Sequence, residues 1–176
     1  MSGADNPTIE TARLMLRPPT VADFEPFAVM WSDPEVTRHI SPVPLDRENA
    51  WRMFLRDNGH WRLHGYGFFT AIHKETKAFA GTIGLAPLER SIDPPFGADP
   101  EAGWAFAPQF HGQGLASEAL HAVLQWGESV LLPTRFVCMI GETNEASSRV
   151  AQKCGFRKYA ATSYHGTSVI LHERKS

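Results

Sequence analysis

The chain has 176 residues, 43% of them hydrophobic, which is enough for one globular domain with a real core. Lys and Arg total 17 against 19 Asp and Glu, and this net charge of −2 excludes the clustered positive surface of a nucleic-acid binder. No apolar run reaches the length of a membrane span, Met1–Thr11 lacks an apolar signal core, and two cysteines make no disulfide framework.

Residues 1–11 read as a loose polar tail and 12–176 as one domain. Arg13–Arg17 (RLMLR) alternates and predicts a first strand. Thr20 and Asp23 resemble a helix start. Val21, Phe24, Phe27, Ala28 and Trp31 then share one helical face, until Asp33-Pro34 stops the helix. A second helix is predicted from Asp46 to Leu63, with Trp51, Phe54, Leu55, Asn58 and Trp61 at spacings of three and four. Gly65 and Gly67 end it. Phe68–His73 and Phe79–Pro87 read as an antiparallel pair. Glu89–Pro100, rich in Pro, Gly and Asp, is a loop whose length suggests function.

Glu101–Phe106 (EAGWAF) predicts the next strand. A glycine-rich turn, His111–Ala116, leads into a helix from Leu115 to Glu128, with Leu115, Ala119, Ala122, Val123 and Trp126 as its apolar stripe. Arg135–Ile140 is a buried strand. Asn144 caps a helix that ends at Cys154, with Gly155 as its stop. Phe156–Ser163 and Ser168–Glu173 form a hairpin around His165-Gly166. The order β-α-α-β-β-β-α-β-α-β-β implies a single α/β domain with a mixed sheet and a local parallel pair in an otherwise antiparallel run. Cys138 and Cys154 are expected as buried thiols in a reducing cytoplasm.

Strand, glycine turn and helix together make an anion site, because glycine lets backbone N–H groups approach a phosphate and the helix N-terminus favours negative charge. The turn reads His111-Gly112-Gln113-Gly114-Leu115-Ala116-Ser117. No Gly-Lys-Ser/Thr triplet follows, so it is not a P-loop. Ser117 stands where a dinucleotide-binding turn needs Gly or Ala, and the turn falls late in the chain. The run resembles the acyl-CoA pyrophosphate loop of the GNAT superfamily, Arg/Gln-x-x-Gly-x-Gly/Ala, with Gly114 and Ala116 matching and His111 in the first place. Ser117-Glu118-Ala119-Leu120 is similar to the helix start of the Rim-type branch, which acetylates ribosomal-protein N-termini. Asn144-Glu145-Ala146-Ser147 through Cys154-Gly155-Phe156 resembles the family's Asn-x-x-Ser…Gly-Phe segment.

The resemblance implies a GNAT-like sheet, mostly antiparallel, with helices on both faces. It implies direct transfer of an acetyl group from acetyl-CoA, as cosubstrate and without a metal, to a small-molecule amine or a protein N-terminus. Phe106, residues His111 to Ser117 (with Gly112, Gln113, Gly114, Leu115 and Ala116) and Asn144 would bind the cofactor. The backbone N–H near Phe106 is the candidate oxyanion donor. Glu101 is the first choice of general base, Glu142 the second and His111 the third. Ala151 replaces a Tyr that many members use as acid, so Ser147 or a water takes that role. Trp31 on the first helix and Phe96 in the long loop are the candidate acceptor contacts. A homodimer is the family-level expectation. The alternative reading is an acyl-CoA-binding regulatory module without turnover. His60 and His64 lack the Glu of a zinc-protease motif, and no Gly-x-Ser-x-Gly elbow occurs.

Overall fold

The structure, a computed structural model, describes residues 7–41, 43–132 and 135–176. Its elements are β1 (Ile9–Glu10), β2 (Leu14–Arg17), α1 (Phe24–Trp31), α2 (Pro34–Thr37), α3 (Arg47–His64), β3 (Phe68–His73), β4 (Phe79–Ala86), β5 (Glu101–Phe106), α4 (Leu115–Leu131), β6 (Arg135–Gly141), α5 (Glu145–Lys153), β7 (Arg157–Tyr164) and β8 (Thr167–Lys175). The strands form one sheet in the order β1-β2-β3-β4-β5-β6-β8-β7. β5 and β6 are parallel and every other neighbouring pair is antiparallel.

Local chemistry sets the element ends. Thr20 and Asp23 form a reciprocal cap on a short 3-10 turn that leads into α1. Asp46 caps α3 by accepting from Asn49 N at 2.8 Å, and Gly65 closes it in the left-handed region. Two elements go beyond the sequence reading. The expected loose tail covers residues 1–11: residues 1–6 lie outside the described residues, but Ile9 and Glu10 pair with Leu16 and Met15. The turn that folds them back is closed by Thr11 N on Leu14 O and Leu14 N on Thr11 Oγ1, both 2.9 Å. Asp33-Pro34 does more than stop α1. Asp33 accepts from Glu35 N at 2.8 Å and Pro34 opens α2, where its missing N–H costs nothing.

Strand alternation sorts the sheet into two faces. Phe69, Ile83 and Trp104 are cross-strand neighbours on the face that carries α4. There α4 packs so closely that a Cβ on Gly127 would stand 2.5 Å from Leu85 Cδ1. Thr70, Thr82 and Glu101 point the other way. On that face Thr70 Oγ1 donates to Asp23 Oδ2 at 3.3 Å, beside the start of α1. Val21, expected on the buried stripe of α1, lies in the 3-10 turn and is 77% exposed. Beneath the loop that follows β4, a small second core joins Phe96 to Val137, Val169 and Leu171. Cys138 and Cys154 are free, buried thiols.

Candidate active site

β5 and β6 share a single rung, Glu101 opposite Val137, supported by Val137 N donating to Pro100 O at 3.1 Å. Beyond that rung the two strands diverge. Ala107 N donates to Ala80 O at 2.8 Å while Gly81 stands opposite Phe106, so Phe106 occupies a non-hydrogen-bonded position of the β4–β5 ladder. Its own N–H and C=O therefore face away from β4, into the cleft toward β6. Alternation aims the peptide groups of Trp104 and Ala102 the same way. The cleft is thus lined by backbone groups that an amide-bearing arm can pair with as a strand would.

At the wide end stands the glycine-rich loop. Gly112 (φ 71°) and Gly114 (φ 77°) adopt left-handed backbone, and Gly114 is the N-cap of α4. Buried Leu115 anchors the first turn, whose N–H groups have no partner within the helix, an arrangement that favours an anion. Arg13 braces the loop. Its Nη1 donates to Gln113 O at 2.8 Å, and its Nε and backbone N donate to Glu118 of α4, both at 2.8 Å. Gln113 Nε2 donates back to Gln109 O at 2.8 Å. His111 is placed differently from its expected role as an anion contact. Its N–H donates to Pro108 O at 3.0 Å, and its Nε2 lies 2.7 Å from Phe106 O, facing back to β5.

The β6 side of the wide end carries Asn144 and Ser147. Asn144 Oδ1 accepts from Ser147 N at 3.1 Å, the expected N-cap, which leaves its Nδ2 uncommitted to the helix. Glu142 lies exposed just past β6, in a shallow groove formed with the β7–β8 hairpin. At about 3.3 Å per residue it stands roughly 16 Å up the strand from the Glu101–Val137 rung. The two carboxylates are therefore at opposite ends of the cleft and do not form one acid–base pair. α2 and the turn after it span the mouth. Glu35 Oε1 lies 3.7 Å from His111 Nδ1 on one side, and His39 Nδ1 lies 3.4 Å from Thr143 Oγ1 on the other.

At the narrow end, Glu101 is only 4% exposed. Both its oxygens accept from Arg90 Nε, at 2.8 and 2.6 Å. Burial pushes the Glu101 carboxyl above the ordinary carboxylate range, against the downward pull of Arg90 and Arg56. A cavity of about 330 Å³ opens here, lined by Leu88, Arg90, Ser91, Phe96, Asp99 and Glu101 among others. Arg90 lies against the Tyr164 ring, 5.2 Å from its centroid. Asp99 is held by Arg135 at 2.5 Å, and Arg135 also reaches Glu173 at 2.9 Å. These contacts and the packing of Phe96 fasten the long loop down, and Phe96 forms a wall of the cavity. Trp31 lies apart from it, in the main core against Phe27, with its Nε1 buried and unpartnered. The sequence reading missed Arg90 and Tyr164. Arg90 sits in an aperiodic loop and Tyr164 at a hairpin end, and neither carries a motif.

Among the described residues no three His, Cys, Asp or Glu side chains gather to hold a metal, and no helix is long and apolar enough to cross a membrane. Comparison with known proteins gives the same reading as the cleft and loop. The chain is 29% identical to the uncharacterized N-acetyltransferase YoaA of Bacillus subtilis over 153 residues, 86% of this chain and 84% of that one. A GnaT-family acetyltransferase structure from Bordetella pertussis superposes with a TM-score of 0.83 at 29% identity, covering 96% of this chain and 99% of that one. The ribosomal L7/L12 alpha-N-protein acetyltransferase RimL, solved in complex with coenzyme A, shares the fold with a TM-score of 0.79 at 18% identity, over 96% of this chain and 98% of that one. The model of the acetyltransferase (GNAT) domain matches residues 13–157, which include the diverging strands, the glycine-rich loop and Asn144, and the chain belongs to that family.

Proposed function

We propose that this protein moves an acetyl group from acetyl-CoA to a primary amine in one direct step. The observation that carries the reading is the pair β5–β6, joined by one rung and opening onto a glycine loop and a helix N-terminus. In this arrangement the N–H groups of residues 112–117 hold the pyrophosphate. The cleft-facing N–H and C=O of Trp104 pair with the pantetheine arm, and the Nδ2 of Asn144 steadies it from the β6 side. An N–H on this edge of β5, that of Phe106 in the first instance, donates to the developing oxyanion. Glu101, made more basic by burial but roughly 16 Å down β5 from Phe106, takes the proton of the acceptor ammonium through bound water and not directly. The amine nitrogen then attacks the thioester carbon, the C–S bond breaks, and the proton lost by the attacking nitrogen is relayed through Ser147 or a water to the thiolate.

Calorimetry with acetyl-CoA tests the site, with Gly114→Glu as the control. Gly114 is left-handed, and a carboxylate there adds strain, bulk and negative charge where the pyrophosphate sits. Binding by the wild type and a loss of at least about 100-fold in the variant support the reading. No binding by a folded wild type overturns it. The hold of Arg90 on Glu101 favours one second reading, an acyl-CoA-binding module without turnover. Thiol release with a panel of amines separates the two.

A further inference from the structure

Arg90 carries a planar fork of five N–H donors. Both contacts to Glu101 are made through Nε, so the terminal nitrogens are not used on that carboxylate. The guanidinium plane is held by the Tyr164 ring at 5.2 Å, and its side chain is only 22% exposed. The fork is therefore immobilised in the wall of the cavity beside Glu101.

The charge around it is already matched. Asp99 is paired with Arg135, and Glu101 with Arg90 itself. Arg56, whose field also falls on Glu101, is engaged by the adjacent Asp57 at 2.8 Å. Glu89 lies exposed at the rim. The donors that remain inside are the terminal N–H groups of Arg90 not engaged by the Tyr164 side chain, which can reach a carboxylate oxygen of a ligand. Leu88 and Phe96 complete an apolar wall in a space of about 330 Å³, the low end of small-ligand sites.

We infer that Arg90 holds a carboxylate of the acceptor, so that the preferred amine is a small molecule that carries its own carboxylate, of amino-acid type. The identity of the reaction rests on the acetyl-transfer reading above; the binding of the carboxylate does not. An acceptor carboxylate on the fork shares the guanidinium charge with Glu101. The acceptor then weakens the hold on the base that is to take its proton.

The test compares L-amino acids with their C-terminal amides, on the wild type and on Arg90→Lys. Lysine keeps a cation for Glu101 and lacks the second edge of the fork. Acetylation of each pair is read as a ratio of kcat/KM. Calorimetric titration of the same pairs into the CoA-loaded protein reads binding without turnover. The expected result is a preference for the free carboxylate of about tenfold or more in the wild type, falling to roughly threefold or less in Arg90→Lys. Unchanged melting temperature in the variant assigns that fall to recognition. Equal use of acid and amide, a preference for amides or polyamines, or a carboxylate preference that survives in Arg90→Lys overturns the inference. Carboxylate-selective binding without turnover keeps Arg90 as the carboxylate site and overturns the catalytic reading instead.

Discussion

Asp23 is 5% exposed and accepts hydrogen bonds from Arg17, Thr20 and Thr70. Burial pushes its carboxyl up, but the guanidinium of Arg17 and the N–H of Thr20 outweigh that and hold it below the ordinary carboxylate range. The folded state therefore binds fewer protons than the unfolded chain just below pH 4, and stability falls as the pH drops through that window. Asp23→Ala is expected to cost about 3 kcal/mol at pH 7, because it leaves Arg17 without its partner. It is also expected to flatten the loss of stability between pH 4 and pH 2, as read by urea unfolding. Glu101→Gln addresses catalysis. The amide still accepts from Arg90, so the fold should hold, while kcat falls about 10²- to 10⁴-fold and the acidic limb of the pH–rate profile disappears. A variant that keeps its rate would make Glu101 only the structural partner of Arg90. Glu101 was legible as a carboxylate opening a buried strand. Its partner Arg90 was not, because an ion pair between a loop and a strand leaves no periodic trace.

Most elements could be read from periodicity and punctuation. Asn144, Gly155 and the His165-Gly166 turn mark their ends chemically, and β5 has the expected bounds. β1 and α2 escaped, because they are too short to show a period and depend on tertiary pairing. The hairpin was legible, but not which of its strands lies inward. β8 runs between β6 and β7, and the reason is side-chain burial: Val169 and Leu171 are buried while no residue of β7 is. At the element scale the close approach of β4 to β5 is the sensitive feature. A Cβ at Gly81 would stand 2.2 Å from Ala105 O and 2.8 Å from the Phe106 Cα. Gly81→Ala should therefore destabilise the domain by about 2 kcal/mol or more in denaturant unfolding and weaken acetyl-CoA binding by displacing the strand that lines the cleft.

Taken whole, the sheet is two units, β1–β5 and β6–β8, whose strands meet at one rung. α4 packs on the first unit and touches α5, while α2 and the turn after it reach both sides of the mouth. A ligand in the cleft would bridge the units and bind only the folded chain. Acetyl-CoA at 100 times its Kd should then add about 2.7 kcal/mol to stability, visible as a rise in melting temperature that Gly114→Glu lacks. In mechanical terms the Glu101–Val137 rung is a fulcrum. A small tilt about it is magnified along both strands and is greatest where the glycine loop faces Asn144. Val137→Ala, which loosens packing beside the pivot, is thus expected to weaken the grip on coenzyme A at a distance of some 16 Å, without removing any atom that touches it.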